Sequence, residues 1–118
     1  MNIEQQIEQV EISLENAKKA VAKAEALARL YKNKDFQDII VNGYFKDEAS
    51  RLVLLKGDLN INAEAEGHCD KMINGIGCLR GYFQMVNHFG DQAEIAMEQD
   101  QQTREELLQE QLNGGNDS

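Results

Sequence analysis

The chain has 118 residues with 21 acidic and 12 basic side chains, a formal net charge of −9, and no proline. That length limits it to one domain, and the acidic balance argues against an unaided grip on nucleic-acid phosphates or a basic helix lying on a membrane surface. The charge is uneven: from Asp91 onward eight acids face Arg104 alone, leaving the first 90 residues at −2.

Because proline breaks helix interiors and punctuates loops, its absence suits a chain that is mostly uninterrupted helix. No apolar run approaches the roughly 18–20 residues of a membrane span. The opening Met-Asn-Ile-Glu-Gln-Gln-Ile-Glu has no basic n-region before an apolar core, so no signal peptide is expected. Two cysteines, Cys69 and Cys78, are too few for a disulfide scaffold and suit a reduced cytosolic setting.

Ile3, Ile7, Val10, Leu14, Ala17, Val21, Ala24, Ala28 and Tyr31 follow at alternating spacings of 4 and 3. These four heptads predict a helix over about 3–31 that lies along a partner helix. Acids lead and bases trail on its other face, as the helix dipole favours. Leu27 and Leu30 widen the apolar stripe near its end.

A short helix is expected over about 34–42, capped by Asn33 or Asp35 and stopped by Asn42-Gly43. A second, over about 47–56, starts at an Asp47 cap and ends at Gly57. A second long helix follows over about 62–112. Its seam is Met72, Ile76, Leu79, Phe83, Val86, Gly90, Ala93 and Met97, and it turns polar at Asp100 and Arg104. Gly114-Gly115 marks its expected end, with disordered residues beyond. The predicted fold is all-α: an antiparallel hairpin of two long coiled-coil-like helices, with the short pair between them closing one end. Residues 1–97 form the helical domain and 98–118 a Glu/Gln-rich acidic extension.

Several chemistries can be weighed against simpler roles. Asp58, Asn60 and Asn62 mimic the first half of a calcium loop. Ala63 stands where the loop needs glycine, however, and Cys69 where it needs a bidentate glutamate. Helix capping explains the same residues. His68, Cys69, Cys78 and His88 are zinc-ligand types, but the two cysteines are nine positions apart on one predicted helix and face opposite ways. Small apolar side chains, buried or half-exposed, are the expected role of both cysteines. Ser13 and Ser50 have no adjacent His and acid, and no G-x-S-x-G, phosphate loop or dinucleotide fingerprint is present. No catalytic, metal or cofactor residue is therefore assigned.

Interaction residues are assigned instead. Ile3, Ile7, Val10, Leu14 and Val21, with Ile76, Leu79, Phe83, Val86 and Met97, form the helix seams. Gly77 and Gly81, in small-xxx-small spacing, predict a close helix crossing within the chain or between copies. Phe36, Tyr44 and Phe45 form an aromatic plug, and Arg51 is expected near Asp47, Glu48 and the Tyr44 hydroxyl. Glu98, Asp100, Glu105, Glu106 and Glu110 make the acidic tail.

The middle of the chain carries a resemblance. Lys32-Asn33-Lys34-Asp35-Phe36, Ile40-Val41-Asn42-Gly43-Tyr44-Phe45 and Glu48-Ala49-Ser50-Arg51-Leu52 are followed by the glycine-containing Ile73–Phe83 segment and the Glu/Gln-rich Glu105–Gln111 tail. This succession resembles small acidic helical proteins of tailed bacteriophages, most of them uncharacterised. It covers most of the chain but involves no catalytic signature. The resemblance implies a phage origin and a role in the particle or its assembly.

The expectation is a non-enzymatic, homo-oligomeric protein of virion structure or assembly, located in the host cytoplasm or the virion. Its two seams would make the oligomer and its acidic tail would contact a basic surface on another phage structural protein, without direct contact to nucleic acid or membrane. The alternative is an early phage protein that inhibits a host or defence factor. That could work by acidic mimicry, or as a small-nucleotide sponge built around Lys32, Lys34, Lys46, Arg51 and Lys56.

Overall fold

The computed structural model describes residues 2–116, which are helical almost throughout and contain no strand. Helix α1 spans Ile3–Lys32, α2 is the single turn Lys34–Phe36, a π-helix spans Gln37–Glu48, α3 spans Ala49–Lys56 and α4 spans Ala63–Asn116. The starts are set locally. Asn2 Oδ1 accepts the Gln5 N–H at 2.8 Å while Gln5 Oε1 accepts the Asn2 N–H at 3.2 Å, a reciprocal capping box that satisfies two donors at once. Asn33 Oδ1 accepts the Phe36 N–H at 3.0 Å, and Asn62 Oδ1 accepts the Ala65 N–H at 2.8 Å. Between α3 and α4, Asp58 Oδ1 accepts the Asn60 N–H at 2.9 Å and holds the turn. Asp58 and Asn62, the calcium-like residues, thus serve turn and cap.

Two expectations about boundaries are corrected. Asn42-Gly43 does not stop a helix, and Asp47 does not start one: Lys34–Lys56 is one continuous helical segment with a π-helical middle. Likewise α4 does not end before Gly114 but continues to Asn116. The disordered end expected beyond it lies, at 117–118, outside the described residues.

The π-helix has a packing cause. Phe36 and Phe45 are nine residues apart, half a turn out of phase in an α-helix at about 100° per residue. Yet both rings reach Phe83, with centroids at 5.9 and 6.0 Å. Bonding from i to i+5 gives about 4.4 residues per turn, so nine residues make two turns and both rings face the same way. Gly43 fits this geometry, because a Cβ there would lie 2.8 Å from the carbonyl oxygen of Asp38, five residues back.

By compactness the chain divides into Met1–Glu25 with Val86–Ser118, and Ala26–Met85. In the first unit α1 packs antiparallel to α4. Leu14 and Ala17 of α1 and Val86, Gly90 and Ala93 of α4 are buried, while Ile3, Ile7, Val10, Val21 and Met97 are half-buried. In the second unit Leu52, Cys69 and Ile76 form a buried cluster. Tyr44, Phe45, Ala49, Ile61, Met72 and Ile73 pack around it. Leu27 is buried there and Ala28 exposed, so the larger apolar side chain takes the place that the heptad count gives to alanine.

Candidate interaction surfaces

The seam of the first unit turns polar without coming apart. At Asp100 the carboxylate accepts a hydrogen bond of 2.5 Å from the Ser13 hydroxyl. One turn on, Arg104 Nε stands 3.8 Å from Glu11 Oε1. Asp100 is therefore half-buried and engaged with α1, whereas Glu98, Glu105, Glu106 and Glu110 are exposed. Leu107, across from the N-terminal part of α1, is half-buried. The acidic stretch thus splits into one carboxylate tied into the helix pair and four that face solvent.

The same unit contains a close helix approach. A Cβ built on Gly90 would fall 2.4 Å from the Ala24 Cβ, so only glycine lets the backbones come this close. Gly77 and Gly81, where the sequence places that crossing, have nothing within 4 Å of a Cβ. Small-xxx-small spacing marks where close approach is permitted and does not say which glycine faces the partner helix. Gly90 lies in the α4 seam itself, opposite Ala24 of the α1 seam, and that placement is the signal that would have found it.

In the second unit Phe83 is the aromatic hub. Tyr31 lies 6.0 Å from it and 5.3 Å from Phe36, both edge-on, and Tyr44 lies 6.0 Å from Phe45. Edge-to-face pairs of this kind add about 0.5–1.5 kcal/mol each beyond the burial of area. Phe36, Tyr44 and Phe45 thus belong to one cluster laid against α4, joined by the seam residue Phe83.

Two ion pairs form within this unit. Arg51 donates from Nε and Nη2 to the two Glu48 carboxylate oxygens, at 3.0 and 2.5 Å. That hydrogen bonding holds the Glu48 carboxyl below its ordinary 4.5, and the Arg51 charge adds to it. Lys56 Nζ lies 2.6 Å from Asp70, whose hydrogen bond raises the lysine above its ordinary value. Of the partners expected for Arg51, Glu48 is the one it bonds.

Among the described residues no group of three or more His, Cys, Asp or Glu is placed to hold a metal ion, and no helix is long and apolar enough to cross a membrane. Cys69 is buried and Cys78 exposed, both as free thiols.

Charge separates the two units more sharply than it separates the tail from the body. Ala26–Met85 holds eight bases and eight acids and is neutral, while the remaining residues hold four bases and thirteen acids and carry all of the −9. No known protein family matches the chain, and neither a curated protein nor a solved structure is detectably similar to it.

Proposed function

We propose that this chain is a non-enzymatic, oligomeric helical protein that acts in virion structure or assembly of a tailed bacteriophage. In this role the α1 and α4 seams pair as a coiled coil, copies associate through apolar helix faces, and an acidic surface meets a basic surface on another particle component. The observation that carries it is the partition of charge: one neutral unit rich in exposed apolar side chains, and one unit with the entire −9. A neutral apolar surface suits permanent association, and a strongly acidic one suits steered, salt-sensitive contact with a basic partner. The nucleotide-sponge alternative is weakened because Arg51 and Lys56, two of its five bases, are already paired with Glu48 and Asp70.

Two measurements test this function. Mass spectrometry of purified particles should find the chain at a fixed copy number alongside capsid, portal or tail proteins. Its absence from particles and from assembly intermediates would refute the role. The acidic surface is tested by replacing Glu105, Glu106 and Glu110 with glutamine. These side chains are exposed, so the change removes charge while Asp100 and Leu107 stay in place against α1. The variant should keep its mass in solution and lose its particle partner, most of all at low salt. Retained binding would show that the acidic surface is not the contact.

A further inference from the structure

A groove of about 450 Å³ runs along the seam of the acidic unit, between the first half of α1 and the far part of α4. Gln6, Gln9, Val10 and Ser13 line it from α1, at spacings that share one helix face, and Asp100, Thr103 and Leu107 line it from α4. Among the described residues Asp100 is the one charged side chain in this lining. One of its oxygens, Oδ2, accepts the Ser13 hydroxyl at 2.5 Å. No side chain of the described residues donates to Oδ1, and no base pairs with the carboxylate. Arg104, the one base of α4 beyond the groove's start, leans on Glu11 instead, at 3.8 Å.

We propose that this groove takes a lysine side chain of a protein partner, with Asp100 as its counter-charge. The proposal rests on the acidic-surface reading given above and names the point on that surface where a basic partner is held.

Charge complementarity selects a base as the occupant. The unit carries the whole −9, and the lining offers a carboxylate with no cation of its own chain against it. The donor set then selects lysine over arginine. With Oδ2 committed to Ser13, Asp100 cannot offer two oxygens to the parallel fork of a guanidinium. An ammonium has three donors in no fixed plane. Oδ1 can take one, and the Thr103 hydroxyl and Gln9 amide oxygen in the same lining are acceptors for the others. Val10 and Leu107, both half-buried, are apolar walls for a four-carbon stem.

The groove also divides the work among the acids. Glu98, Glu105, Glu106 and Glu110 are exposed and free to move, which suits steering a basic partner from a distance. Asp100 is half-buried and anchored by Ser13, so it offers a fixed charge that can set the register of the bound partner.

The test is a titration of the full-length chain with a tetralysine peptide at low salt, followed through the backbone amides by nuclear magnetic resonance. The amides of Gln9, Val10, Ser13 and Thr103 should shift on binding. Asp100→Asn keeps an oxygen for the Ser13 hydroxyl and leaves an N–H donor where the ammonium would sit. It should weaken binding by about fivefold, the upper end for an ion pair open to solvent, and abolish the groove shifts. Ser13→Lys, at an exposed position, sets the chain's own base beside Asp100 and should block the groove in the same way, which covers the case in which Asp100→Asn fails to fold. Replacing Glu105, Glu106 and Glu110 with glutamine should lower affinity and flatten its salt dependence while the groove amides still shift at higher peptide concentration.

Shifts confined to residues 105–110, with the groove amides unmoved, would overturn the groove and leave the acidic-surface reading standing. So would binding that neither Asp100→Asn nor Ser13→Lys weakens. Absence of any shift would overturn both.

Discussion

The two units of this chain use opposite strategies. Ala26–Met85 is neutral and concentrates its apolar mass around Leu52, Cys69, Ile76 and the Phe83 rings. The other unit carries −9 and is held by a single seam of small and medium side chains between α1 and α4, with Asp100 and Ser13 where the apolar residues run out. The first gains stability from side-chain volume. The second gains it from close backbone approach at Gly90 and works against its own charge. The difference teaches that one repeating seam in a sequence can support two kinds of packing, set by the size of what fills it.

The strongest way to break the contrast is Leu52→Ala. This side chain is 1% exposed at the centre of the neutral unit, so its loss should cost about 2–5 kcal/mol. Hydrogen exchange should show faster opening of residues 44–76 and little change at 3–25; equal acceleration in both stretches would show that the units do not behave separately. Next comes Gly90→Val, which sets a branched side chain where a Cβ alone would come 2.4 Å from Ala24. It should lower stability by about 2–3 kcal/mol through overpacking, read in a melting curve. Gly81→Ala, with nothing within 4 Å of its Cβ, should instead raise stability by about 0.5–1 kcal/mol through helix propensity. Equal effects at the two glycines would erase the distinction between them.

Gly43→Ala sharpens the picture of the neutral unit. Its Cβ would press on the Asp38 carbonyl at 2.8 Å, and the π-helix would have to shift. A cost of about 1–2 kcal/mol is expected, with altered near-ultraviolet circular dichroism as the Phe36 and Phe45 rings leave their common face. An unchanged aromatic signal would remove the link between Gly43 and ring placement.

The smallest effect concerns pH. Glu48 is held below its ordinary value by Arg51, so the pair contributes stability above the usual carboxylate range, lost as pH falls through the lowered value. Arg51 is exposed and Glu48 only half-buried, so solvent screens the pair and the contribution is slight. Glu48→Gln should make unfolding less sensitive to acid, measured as a flatter dependence of the melting point on pH below the ordinary 4.5. An identical pH profile would place the acid sensitivity elsewhere, among the other twenty acids of the chain.

Much of the fold was legible. The four-three spacing from Ile3 marked α1, the asparagines at 33 and 62 marked helix starts, and Gly57 marked the end of α3. The π-helix was not legible, because Asn42-Gly43 between two apolar groups reads as a stop in a 3.6-residue period. Only a period near 4.4, in which Phe36, Ile40 or Val41, Phe45 and Ala49 share a face, makes those groups continuous. For the interaction surfaces, the seam residues and the aromatic set could be named from spacing and type. The glycine of the close approach was legible as well, since Gly90 alone of Gly77, Gly81 and Gly90 lies in the α4 seam, while small-xxx-small spacing points to the other two.

The sequence by itself determined that this chain is helical, that its charge lies mainly toward one end, and that its apolar residues form stripes rather than a thick core. These follow from composition and period, which are properties of neighbours along the chain. Tertiary structure decided what the stripes meet. It set Gly90 against Ala24, turned Phe36 and Phe45 together toward Phe83, and tied Asp100 to Ser13 across 87 positions. It also left Val53, Leu54 and Leu59 facing outward. Such pairings depend on the distance and register between segments far apart in sequence, and no local spacing encodes them.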